Sequence, residues 1–194
     1  MGRGKFNNIS GVVIYPAIFL LLLMLLCTPK PYADGFTEHR ALVGLKLFRT
    51  LVTADLNLDK KINGEGSLAV AIIYLDDVEK AKEFQRTLQD QFSSVDQTPV
   101  QIHLHSFDEL SKVRMPAAIY LAQPLKSEQL QNLIAYSVIH HIVLFSPFSG
   151  DVENGVLGGL SVQATVRPFI NMHTLKKSKI EIKPFYLKVA KQYE

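Results

Sequence analysis

Between Thr37 and Val52 the apolar residues Ala41, Leu45, Phe48 and Val52 recur at helical spacing, and Leu42, Leu47 and Leu51 widen the stripe. The pattern predicts a well-buried helix with Thr37 as its N-cap. A polar turn, Asp55 to Gly66, precedes the unbroken apolar run Leu68–Leu75, which is rich in strand formers. Such a run suits a central strand covered on both faces. Ala81, Phe84, Leu88 and Phe92 then form one helical stripe behind Asp76 and Asp77, whose carboxylates favour a helix N-terminus.

The alternation continues with a strand over Val100–His105, a short helix over Phe107–Val113 and a strand over Ala117–Leu121. Ser127 can cap a helix carrying Leu130, Leu133, Ile134 and Val138, and His141–Phe145 reads as the next strand. After Phe145 the rhythm changes. Leu157–Val166 and Phe169–Met172 follow as strands with no room for a helix between them, so they should pair antiparallel, separated near Arg167-Pro168. Lys179–Lys183 reads as a short strand and Phe185–Lys191 as a closing helix. The expected fold is α/β: a single-domain mixed sheet, parallel in its first half and antiparallel in its C-terminal strands, flanked by helices.

The N-terminal residues differ in kind. Arg3 and Lys5 are followed by no charge until Lys30, and Gly11 to Cys27 is almost wholly apolar. A basic start, an apolar stretch and Ala33 ahead of a polar chain make residues 1–33 a secretory signal, with 34–194 as the working domain. An uncut membrane anchor is the competing reading, because the stretch approaches the roughly 20 residues that span a bilayer. Pro16, Pro29 and Pro31 weigh against it. The expected compartment is periplasmic.

Charge and cysteine content narrow the function classes. Arg3, Lys5 and Lys30 account for the whole formal excess of +3, so the remaining chain is neutral and offers no concentrated basic face for nucleic acid. The lone cysteine, Cys27, lies in the signal, which leaves the domain without disulfide or thiol chemistry. The domain is too short for two full substrate-binding lobes.

The candidate chemistry is thin. Asp55, Asn57 and Asp59 fall at the first three ligand positions of a calcium loop, but Lys60 stands where the turn glycine belongs and Gly66 where the bidentate acid belongs. Asp76-Asp77 matches a phospho-receiver's acidic pair, yet Leu121-Ala122-Gln123 supplies no aspartate to phosphorylate. His103 and His105 share a strand face, and His140 and His141 face opposite ways, short of the three or four convergent ligands a metal needs. Ser146, Ser149 and Asp151 lack a nucleophile elbow, and Gly155, Gly158 and Gly159 are not spaced as a phosphate loop. The residues assemble no enzyme, cofactor site or metal site.

From Ile142 onward, Ile142-Val-Leu-Phe-Ser-Pro-Phe-Ser-Gly-Asp-Val, Gly155-Val-Leu-Gly-Gly-Leu-Ser-Val, Pro168-Phe-Ile-Asn171, Leu175, Ile180 and Phe185 through Ala190 resemble the YfiR/HmsC-like family. Lys46-Leu47-Phe48 and the strand Leu68–Leu75 fall in the matching order. The chain departs from that family in having no tryptophan and no disulfide partner in 34–194, which argues against a redox-sensing role. The resemblance implies a small exported α/β protein, often dimeric. It would restrain an inner-membrane sensor, typically a diguanylate cyclase that makes cyclic-di-GMP, by binding its periplasmic domain.

On that reading Pro147, Phe148 and Asp151 are the leading contact residues, with Tyr186 and Tyr193 behind them. The alternative is a small-ligand-binding module using Tyr74, Asp76, His105, Gln123 and Ser146 at the carboxyl ends of the strands, where open α/β sheets bind ligands. An envelope assembly scaffold is a third reading.

Overall fold

The computed structural model describes residues 1–2, 33–112 and 115–194, with side chains omitted for 33–38 and 110–114. By internal contacts the chain divides into Met1–Asp34 and Gly35–Glu194. The signal-segment reading lies outside the described residues.

Helix α1 spans Ala33–Thr53. Its predicted stripe Ala41, Leu45, Phe48 and Val52 is fully buried, as is Leu51. Thr37 lies inside this helix, not at its cap, because the helix already begins at Ala33. Strand β1 is Leu68–Tyr74, and α2 is Val78–Gln91. The carboxylate of Asp77 accepts the Lys80 N–H at 2.9 Å, which caps α2 as the sequence indicates.

A short strand β2, Ser94–Val95, turns through Asp96 and Gln97 into β3, Thr98–Ser106. Both turn residues have positive φ, 46° and 71°, the primed geometry that matches strand twist. A 3-10 turn, Phe107–Lys112, leads toward β4, Ala118–Leu121. Helix α3 is Ser127–Ile139 and β5 is Val143–Ser146. Lys126, not Ser127, is the α3 cap residue, and its N–H donates to the Gln129 side chain at 3.1 Å.

The eight-stranded sheet has the order β2-β3-β1-β4-β5-β6-β7-β8, with β6 as Gly158–Val162, β7 as Val166–Asn171 and β8 as Lys191–Tyr193. Strands β3, β1, β4, β5 and β6 run parallel, β6 and β7 pair antiparallel, and β8 joins β7 in parallel. The mixed sheet expected from the sequence is the one observed. Alternate residues of β1 bury on opposite sides: Val70 and Ile72 join α1 and α2, whereas Ala71 and Ile73 join α3. That two-sided burial accounts for the unbroken apolar run in the sequence.

The C-terminal boundaries differ from expectation. The β6–β7 turn lies at Gln163–Thr165, and Pro168 sits within β7 opposite Leu160. β8 begins its pairing only at Phe169, so the missing N–H of Pro168 breaks no bond on that side. Helix α4, Met172–Ser178, was not expected, and its cap Asn171 accepts the Thr174 N–H at 2.8 Å. Within Lys179–Lys183 the strand pairing reduces to one bridge, Asp55 with Ile182. Helix α5 ends at Val189, having begun at Pro184, and Lys191 belongs to β8.

Gly158 and Gly159 admit β6 to the sheet. A Cβ on Gly159 would lie 2.7 Å from the Ser146 carbonyl oxygen, and one on Gly158 would lie 2.3 Å from Leu51 Cδ2. Backbone cannot move aside as a side chain can, so the glycine at 159 is the stricter requirement.

Candidate functional site

The strand order reverses between β1 and β4, and α2 and α3 leave this point on opposite faces of the sheet. Open α/β sheets bind ligands in such a crevice, beyond the carboxyl ends of the strands. Here Gln123 occupies it. Its Oε1 accepts N–H groups from Leu75, Asp76 and Asp77 at 2.8, 3.2 and 3.2 Å, and its Nε2 donates to Asp76 Oδ1 at 2.5 Å. The donors that would greet a ligand are already satisfied within the protein.

Neighbouring groups at this end are also committed. Ser146 is fully buried, donates to Asp151 Oδ2 at 2.5 Å, and accepts the Phe148 N–H at 3.1 Å. Burial raises the Asp151 carboxyl above its ordinary value. The Ser146 hydrogen bond opposes that rise, Glu153 adds to it, and Arg40 again opposes it. Arg40 donates Nε to the Pro147 carbonyl and Nη2 to the Leu160 carbonyl at 3.0 Å, tying α1 to the loop after β5. On β3 the rings of His103 and His105 are 6.2 Å apart, and burial, then His103, lowers the His105 pKa while Glu109 opposes. Thus Asp76 meets Gln123, Ser146 meets Asp151, His105 lies beside His103, and Tyr74 packs against the core on the α1–α2 side of the sheet.

The contact candidates fare unevenly. Pro147 is buried, and Phe148 is half-buried against the core under α3. Asp151 is half-buried and engaged by Ser146. Tyr186 is fully buried, so its ring is core and not contact surface; Tyr193 is 39% exposed.

A larger opening lies at the other end of the sheet. A cleft of about 730 Å³ opens beside the amino ends of β1, β4 and β5. One wall is the loop Asp55–Asn63, a second is Met115–Ala117, and the rest comes from His140-His141 and Lys179–Glu181. Its size is that of an ordinary small-molecule site.

Local bonds hold these walls. The buried Asp55 carboxylate accepts the Asn57 N–H at 2.9 Å and pairs with Lys61 Nζ at 2.6 Å. The calcium-like spelling is therefore a turn locked by a lysine. Asn63 Oδ1 accepts from the Glu65 and Ser67 N–H groups at 2.9 and 3.1 Å, bending the chain into β1. The far wall is bolted to the end of α1: Leu56 N–H donates to the Glu181 carbonyl at 2.8 Å, and Lys183 N–H to the Ala54 carbonyl at 2.9 Å. His141, with φ 56°, directs Nδ1 to the Ser178 carbonyl at 2.7 Å. A carbonyl only accepts, so Nδ1 is the donor in this bond.

Sequence reasoning missed this cleft because four segments far apart in the chain build it, and the one near-motif among them, the calcium-like Asp55–Asp59, points to different chemistry. Among the described residues, no three or more His, Cys, Asp or Glu side chains are placed to hold a metal ion, and no helix is long and apolar enough to cross a membrane.

No protein-family model matches the chain, and no curated protein matches it. Solved structures share its architecture. An ABC domain from Streptococcus pneumonia in complex with L-Trp superposes with TM-score 0.50 at 13% identity, over 78% of this chain and 59% of that one. A substrate binding protein with adhesive properties from Clostridium difficile, in its ligand-free open form, gives TM-score 0.50 at 13% identity, over 71% of this chain and 57% of that one. The chain spans less than two thirds of the length of both, and what it shares with them is the α/β fold.

Proposed function

We propose that Gly35–Glu194 is a non-catalytic small-ligand-binding module acting outside the cytoplasm, with its site in the cleft between Asp55–Asn63 and Lys179–Glu181. The observation that carries this is the cleft itself: about 730 Å³, with the buried Ala117 and Ile180 beneath polar side chains. Pre-formed concave sites of this size, mostly apolar with a few placed polar groups, are where small molecules bind. The likeness to an L-Trp complex and to a substrate binding protein supports the reading at the level of fold. The test is thermal unfolding of the full-length chain across a broad panel of small metabolites. A saturable rise in Tm for at least one compound is expected, since a ligand that binds only the folded state stabilises it. A flat response across the panel removes the reading.

A second reading has its own observation. The outer side of α5 and β8 exposes Phe185 at 57%, Val189 at 58% and Tyr193 at 39%. Apolar side chains left outside in this way suit a protein contact, as the YfiR/HmsC-like resemblance implies for an inner-membrane sensor or diguanylate cyclase. Loss of crosslinking to any inner-membrane protein in a Phe185→Ser, Val189→Ser variant is the expected result. Unchanged capture places the contact elsewhere.

A further inference from the structure

Resting on the ligand-binding reading, we infer that the cleft takes a small organic anion with an apolar body. The floor is apolar: Pro116, Ala117 and Ile180 are buried, while Met115 and Ile62 stand at the mouth with 56% and 39% exposure. The charges around it do not cancel. Lys61 is answered by Asp55 at 2.6 Å, so this pair offers a ligand little. Among the described residues, Lys60 bonds only the neutral amide of Asn57, at 2.5 Å, and keeps its charge. Lys179, exposed at the C-terminal end of α4, faces the same cleft. Among the described residues, Glu181 alone stands against these two cations.

The helix ends could reverse this balance, because helix C-termini carry roughly half a negative charge each. Two are already answered. Lys183 Nζ donates to the Thr53 carbonyl at the end of α1 at 2.9 Å, and His141 Nδ1 donates to the Ser178 carbonyl at the end of α4 at 2.7 Å. Screening by these partners leaves the end of α3, at His140, as the remaining negative terminus. Two lysines outweigh Glu181 and one partial charge, and an anionic head held between Lys60 and Lys179 places its apolar body on Pro116, Ala117 and Ile180.

The test uses two probes of one shape, 3-phenylpropionate and 3-phenylpropionamide, titrated calorimetrically into the full-length chain. The carboxylate is expected to bind at least about tenfold tighter than the amide. Lys179→Gln should erase most of that preference without changing affinity for the amide, and Glu181→Gln should increase it. Both positions are exposed, so both variants keep the fold. Equal affinity for the two probes, or no carboxylate binding by a chain that another compound of the metabolite panel stabilises, overturns the anion class and leaves the module reading standing. A chain that neither the probes nor the panel affects overturns both.

Discussion

The carboxylate of Asp55, fully shielded from solvent, lies 2.6 Å from the ammonium of Lys61. One residue serves two purposes there: it caps the Asn57 N–H and neutralises a lysine that would otherwise crowd the cleft wall with charge. Removing one partner of a buried pair leaves the other uncompensated, at a cost of about 3–5 kcal/mol. Lys61 keeps 16% side-chain exposure, which places Asp55→Ala near the lower end, about 3 kcal/mol. Denaturant unfolding checks this, and a loss below about 1 kcal/mol would show that the wall does not depend on the pair.

Two buried tyrosines give opposite signs. Tyr120 donates its hydroxyl to the Ala41 carbonyl at 2.7 Å, whereas the Tyr186 hydroxyl is buried without a partner among the described residues. Tyr120→Phe should lower stability by about 1 kcal/mol, the usual net worth of a hydrogen bond. Tyr186→Phe should raise it by about 1 kcal/mol by removing a desolvated group that gains nothing. Chemical denaturation of both variants decides, and equal signs would contradict one of the two assignments.

Gly159→Ala should cost more than Gly158→Ala. The first places a methyl 2.7 Å from the Ser146 carbonyl oxygen, and the second places one against the movable end of Leu51. Overpacking of this kind costs about 1–3 kcal/mol. Tm measurements on both variants rank them, and the reverse ranking would mean that the core around Leu51 is the stiffer partner.

Asp151 gives a pH signature. Its carboxyl titrates above the ordinary 3.8, chiefly because burial disfavours the charge. The folded state then holds its proton more tightly than the unfolded chain does. This contribution to stability is full at low pH and is lost as pH rises from 3.8 through the raised value. Asp151→Asn keeps an acceptor for Ser146 and lacks the slope, so its Tm should gain on the wild type as pH climbs above about 4. Parallel Tm curves would contradict this.

Much of the fold was legible because burial writes itself into spacing. The stripe Ala41, Leu45, Phe48, Val52 and the run Leu68–Leu75 each have a single low-energy placement. The elements that were not legible depend on contacts no local pattern records. β2 turns on Asp96-Gln97, a dipeptide without the glycine that usually marks a primed turn. α4 is a short helix that rests on the cap Asn171 and on burial of Thr174 and Leu175. The sequence places Gln123 only at the carboxyl ends of the strands; its partners, the N–H groups of Leu75 to Asp77, are 46 to 48 residues away. That distance hid the fact that the crevice is filled from within.

The most direct measurement is amide chemical-shift mapping of the full-length chain titrated with the strongest compound from the metabolite panel. Shifts should concentrate at Asn63, Ala117, His141 and Ile180 around the cleft, with Asp76, Gln123 and Ser146 undisturbed. Shifts gathered instead at Asp76, Gln123 and Ser146 would mean that a ligand displaces Gln123 from the switch point, and that the cleft at the amino ends is not the site.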